Sequence, residues 1–131
     1  MVIDSSAIIA ILAGEPEGST FTDMIGDHKK RAISAATFLE ISIVLCRRAP
    51  PEDARRLNDF IERMKITVIP VTESQARLAA EAFRSYGKGR HPAGLNFGDC
   101  FSYALALERG EKLLFKGDDF SRTDIQPACP A

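Results

Sequence analysis

Apolar residues along the chain fall into two rhythms. Met1-Val2-Ile3, Arg31-Ala32-Ile33, Ile66-Thr67-Val68-Ile69 and Lys112 to Phe115 are short runs, of the length expected for strands buried in a parallel sheet. The third is the best strand of the four, being rich in β-branched residues. The intervening segments carry helical spacing. After Asp4-Ser5-Ser6, AIIAILAG predicts a short helix ending at Gly14. Pro16 introduces a second helix from Glu17 to about Asp27, with Phe21, Met24 and Ile25 on its apolar side. Ser34 fits an N-cap for AATFLEISIVLCRR, which is apolar almost all round and so is expected to be buried. Pro50-Pro51 breaks that helix and starts another running to about Lys65. Thr72-Glu73-Ser74-Gln75 fits a capping box opening a helix to about Tyr86. YGKGRHPAGLNFG reads as a loop. A helix follows from Asp99 to about Arg109, apolar at Phe101, Ala104, Leu105 and Leu107, and KGDDFSRTDI is a loop leading to a short last strand.

Strands that alternate with helices from end to end argue for an α/β fold, a central parallel sheet covered by helices. The 131 residues suit one domain over 1–131, with a core large enough to need no staples. Composition adds little: 45% hydrophobic and 27% charged residues are ordinary for a globular protein. With 17 basic against 18 acidic residues, the chain as a whole does not advertise nucleic-acid binding, although local patches still can. Cys46, Cys100 and Cys129 have no paired spacing and read as buried reduced thiols of an intracellular protein. No secretory leader or membrane-length apolar run is visible, so a cytoplasmic location is expected.

The acids change the picture. Glu52, Asp53, Asp59, Glu62, Glu73 and Glu81 lie on polar faces beside Arg or Lys, and solvation explains them. Asp4 lies between a strand and a helix; it is either an N-cap or a functional carboxylate, and Ser5 or Ser6 can cap in its place. Glu40 sits between Leu39 and Ile41 with no cation three or four residues away. It is either a buried, costly carboxylate or part of a narrow outward polar stripe with Thr37 and Ser34. Asp99 opens an apolar helix, where capping again competes. Asp118 and Asp119 follow Gly117 at a strand end, and Gly-Asp-Asp is also ordinary turn chemistry. Taken together, Asp4 and Asp118/Asp119 stand at the carboxyl ends of strands, where open parallel sheets build their sites. Carboxylates so gathered repel one another unless cations join them. Hard oxygen donors without His or thiolate neighbours favour Mg²⁺ or Mn²⁺, and the chemistry that follows is metal-assisted phosphodiester hydrolysis.

MVIDSSAIIAIL, TFLEISIVL, GLNFGDCFSYALA and LLFKGDDFSRTDI, in that order, resemble the successive motifs of the PIN-domain family, and more closely those of VapC-type toxins of bacterial toxin–antitoxin pairs. The resemblance spans nearly the whole chain. It implies a three-layer α/β/α fold and a Mg²⁺- or Mn²⁺-dependent endoribonuclease inhibited by a VapB-type antitoxin. It further implies that Asp4, Glu40, Asp99 and Asp119 are the acids of the site, with Asp118 as the alternative fourth, and that Ser6 supports them. A structured RNA such as a tRNA is the expected substrate and a homodimer the expected assembly. Lys88 and Arg90, on the loop before Asp99, are the preferred RNA contacts, with Lys116 a second candidate. His91 has no partner His at metal spacing. Arg47-Arg48 and Arg55-Arg56 read as solvated faces or as an antitoxin or dimer surface. Phe97, Phe101 and Tyr103 can stack bases, with core packing expected for at least two of them. A DNA-directed nuclease or phosphatase on the same scaffold, and a non-catalytic module whose acids are caps and turns, remain competing readings.

Overall fold

The computed structural model describes residues 1–48 and 52–128. The helix break read at Pro50-Pro51, the Cys129 thiol and the side chains of Glu52 and Asp53 lie outside the described residues. Four short strands, β1 (Val2–Ile3), β2 (Ala32–Ser34), β3 (Thr67–Ile69) and β4 (Leu113–Leu114), pair in parallel in the order β3-β2-β1-β4. Val2 stands in register with Ala32 on one side and Leu113 on the other. Helices α1 (Ser5–Leu12), α2 (Gly18–Asp27), α3 (Ala35–Arg48), α4 (Glu52–Arg63), α5 (Glu73–Tyr86) and α6 (Phe97–Arg109) connect them, and a single 3₁₀ turn covers Phe120–Arg122. The last strand expected from the sequence is only a bridge from Pro127 to Leu113.

The two faces of the sheet follow from the alternation of side chains along a strand. Ile3, Ile33 and Leu114 point into one core with Ile8, Phe21, Ile25, Ile41, Leu57 and Phe60, from α1 to α4. Val2, Leu113 and Phe115 point into the other, against Ala79, Ala82, Tyr103 and Leu105 of α5 and α6. These two cores make the three-layer α/β/α arrangement. Residues at the strands are almost wholly buried except in β3, one of the two outer strands, where Thr67 and Val68 are exposed. The segment with the strongest β propensity therefore occupies the least buried place in the sheet.

Helix ends explain themselves locally. Ser34 Oγ accepts the Ala36 N–H at the start of α3, as an N-cap should. Thr72 Oγ1 accepts the Gln75 N–H, but Gln75 turns its own amide to Glu108, so only half of the expected capping box forms. Helix α6 begins two residues earlier than its acid, with Asn96 as N-cap, and ends at Gly110 with φ of 62°, the left-handed conformation that favours glycine. Two expectations fail. Helix α3 is not buried all round: Thr37, Ile41 and Leu45 are buried, while Leu39 is 60% and Ile43 43% exposed. Of the two described thiols, Cys46 is exposed and Cys100 is buried. Helices α1, α4 and α6 and strands β2 and β3 pack against α3, and among the described residues the side that carries Leu39 and Ile43 stays exposed.

Leu114, fully buried between β1 and the α1–α4 layer, tests this packing. Leu114→Ala should cost about 2–5 kcal/mol of unfolding free energy in chemical denaturation; a loss below about 1 kcal/mol would mean that the two cores are not packed as described.

Candidate metal centre

A sheet ordered β3-β2-β1-β4 reverses its winding between β1 and β4, and the crevice outside the carboxyl ends at such a reversal is where open α/β sheets place ligands. Asp4 follows β1 and the Lys116–Asp119 turn follows β4. The backbone of Asp4 is still extended, with φ of −81° and ψ of 159°. Alternation therefore sends its side chain to the same side as Val2, toward α6. The Asp4 N–H donates to Leu114 O at 2.9 Å, which ties the two strand ends together.

Asp4 is 1% exposed. Its Oδ2 accepts the Ser6 N–H at 3.0 Å and the Ser6 hydroxyl at 2.7 Å, and its Oδ1 accepts the Ser102 hydroxyl at 2.5 Å. Ser6 Oγ in turn accepts the Lys116 N–H at 3.0 Å, linking the β1 and β4 ends a second time. Capping and site formation are thus not alternatives. Asp4 is the N-cap of α1 and also the most buried acid, while the Ser5-Ser6 pair, expected to provide the cap, lies inside the helix.

Glu40 stands one helical turn after Thr37 on α3. The polar stripe of Ser34, Thr37 and Glu40 exists, but it faces inward: Ser34 and Thr37 are each 1% exposed. Glu40 Oε1 is buried without a hydrogen-bond partner. Burial pushes the Glu40 carboxyl above the usual range, the nearby Ser5 hydroxyl opposes that, and the charge of Asp4 adds to it. Gly98 makes room for this side chain, because a Cβ there would overlap Glu40 Oε2.

Asp99 is the third residue of α6. Its Oδ2 accepts the Asn96 N–H at 3.0 Å while Asn96 Oδ1 accepts the Asp99 N–H at 2.9 Å, a complete capping box. Burial is the largest cause that raises its carboxyl to about 7; the Asn96 N–H works against this, and the charges of Asp4, Asp119 and Glu40 add to the rise. Four carboxyls from four separate segments are therefore close enough to repel through one residue. Asp119 is exposed, precedes the Phe120 turn and makes no cap with its side chain. Asp118 is exposed too, and it is absent from the charges that act on Asp99. Among the described residues no three Asp, Glu, His or Cys side chains are set to cage an ion by themselves. That donor set suits a cation that keeps waters and takes only one or two carboxylates at a time, as Mg²⁺ does.

The expected basic residues divide. Lys88 and Arg90 are exposed on the loop between α5 and α6 and form no ion pair among the described residues. Lys116 is bound instead by Glu15 and, at 3.3 Å, by Glu17, so its charge is matched within the chain. Tyr103 is buried and donates to Asp124, whereas Phe97 is 80% exposed against the edge of Phe101. The sequence did not single out Ser102, and Thr37, expected on an outward stripe, is buried. Their hydroxyls lie 3.3 Å apart in the core, and only their helical distance of three residues from Asp99 and Glu40 would have pointed to them.

A protein-family model described as PIN domain matches residues 1–126. The chain is 50% identical over 129 residues to the VapC ribonuclease Mb0625 of Mycobacterium bovis, covering 98% of this chain and 97% of that protein. It is 44% identical over 130 residues to Ribonuclease VapC42 of Mycobacterium tuberculosis, at 98% and 99% coverage. Among solved structures, VapC20 of Mycobacterium tuberculosis, described as a sarcin-ricin loop cleaving toxin, superposes with a TM-score of 0.77 at 19% identity and 95% coverage of both chains. A toxin-antitoxin complex from Klebsiella pneumoniae gives 0.72 at 16% identity, covering 94% of this chain and 92% of that one. At those identities the two structures speak for the fold alone.

The raised Asp99 carboxyl has a consequence for stability. The unfolded chain ionises this group near pH 4 and the native, metal-free protein only near 7. The contribution of this group to stability is thus fullest below about 4 and falls as pH rises to about 7. Asp99→Asn, which keeps an acceptor for the Asn96 N–H, should raise the melting temperature of metal-free protein by a few degrees at pH 8, and by about nothing at pH 4. An equal shift at both pH values would trace the effect to the capping box rather than to charge.

Proposed function

The chain belongs to the PIN-domain family and, within it, to the VapC ribonucleases, and from that premise we propose a Mg²⁺-dependent endoribonuclease toxin, with Mn²⁺ as an alternative ion. Asp4, Glu40, Asp99 and Asp119 would hold the cation, with Asp119 preferred to Asp118 because its charge reaches Asp99. The observation that carries the reading is the gathering of these acids at the sheet's reversal point, with Glu40 Oε1 buried and without a hydrogen-bond partner among the described residues. A carboxylate in that condition calls for a positive charge. When bound, the ion supplies charge neutralisation at the phosphate and a water acidic enough to attack it.

The chain's own groups do the remainder. Ser6 and Ser102 orient Asp4, the capping box orients Asp99, and Gly98 lets Glu40 approach the start of α6. Glu40, held above the usual carboxyl range, suits the acceptance of a proton from the attacking water. Lys88 and Arg90, exposed and without an ion pair among the described residues, would contact the RNA backbone, where such cations gain affinity by releasing counterions. Lys116 contributes there only if the substrate draws it from Glu15 and Glu17. Inhibition by a VapB-type antitoxin, a homodimer, a structured RNA such as a tRNA as substrate, and a cytoplasmic location belong to the same reading. The exposed apolar residues Leu39, Ile43, Val71 and Phe97, beside a groove of about 680 Å³, support protein partners. Among the described residues no helix is long and apolar enough to cross a membrane.

The test is cleavage of total RNA by the purified protein. Activity should require Mg²⁺ or Mn²⁺, cease with chelator, and fall at least about 100-fold in Asp99→Asn, beyond what loss of an outer hydrogen-bond partner costs. Full activity in folded Asp99→Asn would leave the acids as caps and turns and support the non-catalytic reading or another site.

A further inference from the structure

Beneath the acids lies a short chain of buried hydroxyls. Thr37 is 1% exposed and Ser102 is fully buried. Thr37 Oγ1 lies 3.3 Å from Ser102 Oγ, and Ser102 Oγ lies 2.5 Å from Asp4 Oδ1. A serine hydroxyl has one proton. Since Asp4 Oδ1 as a carboxylate oxygen only accepts, Ser102 gives its proton there, and Thr37 must donate to Ser102. The direction is therefore Thr37 to Ser102 to Asp4.

Counting acceptor positions on Asp4 gives the second half of the argument. Oδ2 receives two donors from Ser6, which fill its two lone pairs. Among the described residues Oδ1 receives only Ser102, which leaves one lone pair. Thr37 is three residues before Glu40 on α3, and Ser102 three residues after Asp99 on α6, so each hydroxyl shares a helix face with an acid. The same two bonds that aim Oδ1 also hold α3 and α6 at one separation.

We propose that Thr37 and Ser102 form a positioning chain that leaves Asp4 Oδ1 as the single ligand atom of its carboxylate and sets the spacing of Glu40 and Asp99 around a divalent cation. The inference rests on the metal-nuclease reading above. Neither hydroxyl touches the reacting atoms. Both act through Asp4, as outer hydrogen-bond partners of metal ligands do.

Titration calorimetry of Mn²⁺ into the purified metal-free full chain tests it. Ser102→Ala should weaken Mn²⁺ binding about 10–100-fold, the range for loss of an outer partner. Thr37→Val, which keeps the shape and removes the donor, should weaken it less, and Thr37→Ser should restore it. The double variant Thr37→Val with Ser102→Ala should bind no worse than Ser102→Ala alone, because Thr37 has no other route to Asp4. Circular dichroism of each metal-free variant confirms folding, and should Ser102→Ala not fold, the Thr37→Val and Thr37→Ser pair decides. Wild-type affinity within twofold in Ser102→Ala, or in Thr37→Val where that pair decides, or additive losses in the double variant, would overturn the positioning chain alone. Absence of Mn²⁺ binding by the wild-type protein would overturn the metal reading and the chain with it.

Discussion

The carboxylate of Asp4 is buried at the one place in the sheet where the chain turns back on its own winding, and a buried carboxylate must be met by donors on every side that a cation does not take. Its three donors come from α1 and α6, and Ser6 carries the connection on to the end of β4. Asp4 is thus the cap of the first helix, the tie between β1 and the outer strand β4, and the floor of the candidate site. The strands are only two or three residues long, too short to define a register by themselves. Fixing the ends of β1 and β4 through one side chain helps explain how so small a sheet keeps its edges aligned.

Around that floor the protein accepts a cost. Asp99 and Glu40 are both held where ionisation is unfavourable, and the other acids worsen it. Local devices keep the arrangement in place: a reciprocal capping box at the start of α6, a glycine where any Cβ would strike Glu40, and hydroxyls in the core between α3 and α6. None of these neutralises charge. A fold that spends stability to keep like charges together is one that a bound cation would stabilise, and this is how function and fold compete at such sites.

Much of this was legible along the chain. The alternation of short apolar runs with helical segments pointed to a helix-covered parallel sheet; Glu40 stood out because it broke an apolar pattern, Asp4 and Asp99 because they bordered apolar segments, and Asp119 was preferred to Asp118 only through the family resemblance. The errors have a common source. Helix α3 reads as buried all round because its composition is apolar, but a helix is buried only where another element covers it, and among the described residues nothing covers Leu39 and Ile43. Cys46 follows the same logic. Lys116 reads as a free cation because its partners, Glu15 and Glu17, lie about a hundred residues away along the chain.

What the sequence by itself determined is residue chemistry and local rhythm: which segments are strands and helices, where caps fall, and which carboxylates lack a local excuse. Those properties depend on neighbours a few positions apart, through backbone geometry and side-chain spacing. The tertiary structure decided who meets whom. The position of β4 beside β1 brings the charges of Asp4 and Asp119 both to bear on Asp99, and the packing of α3 against α6 brings Thr37 to Ser102 and Gly98 to Glu40. Ser102 is 98 residues from the carboxylate it holds. No spacing rule reaches that far, because contacts between distant segments follow from which apolar faces must be buried together, and that is settled only when the whole core packs.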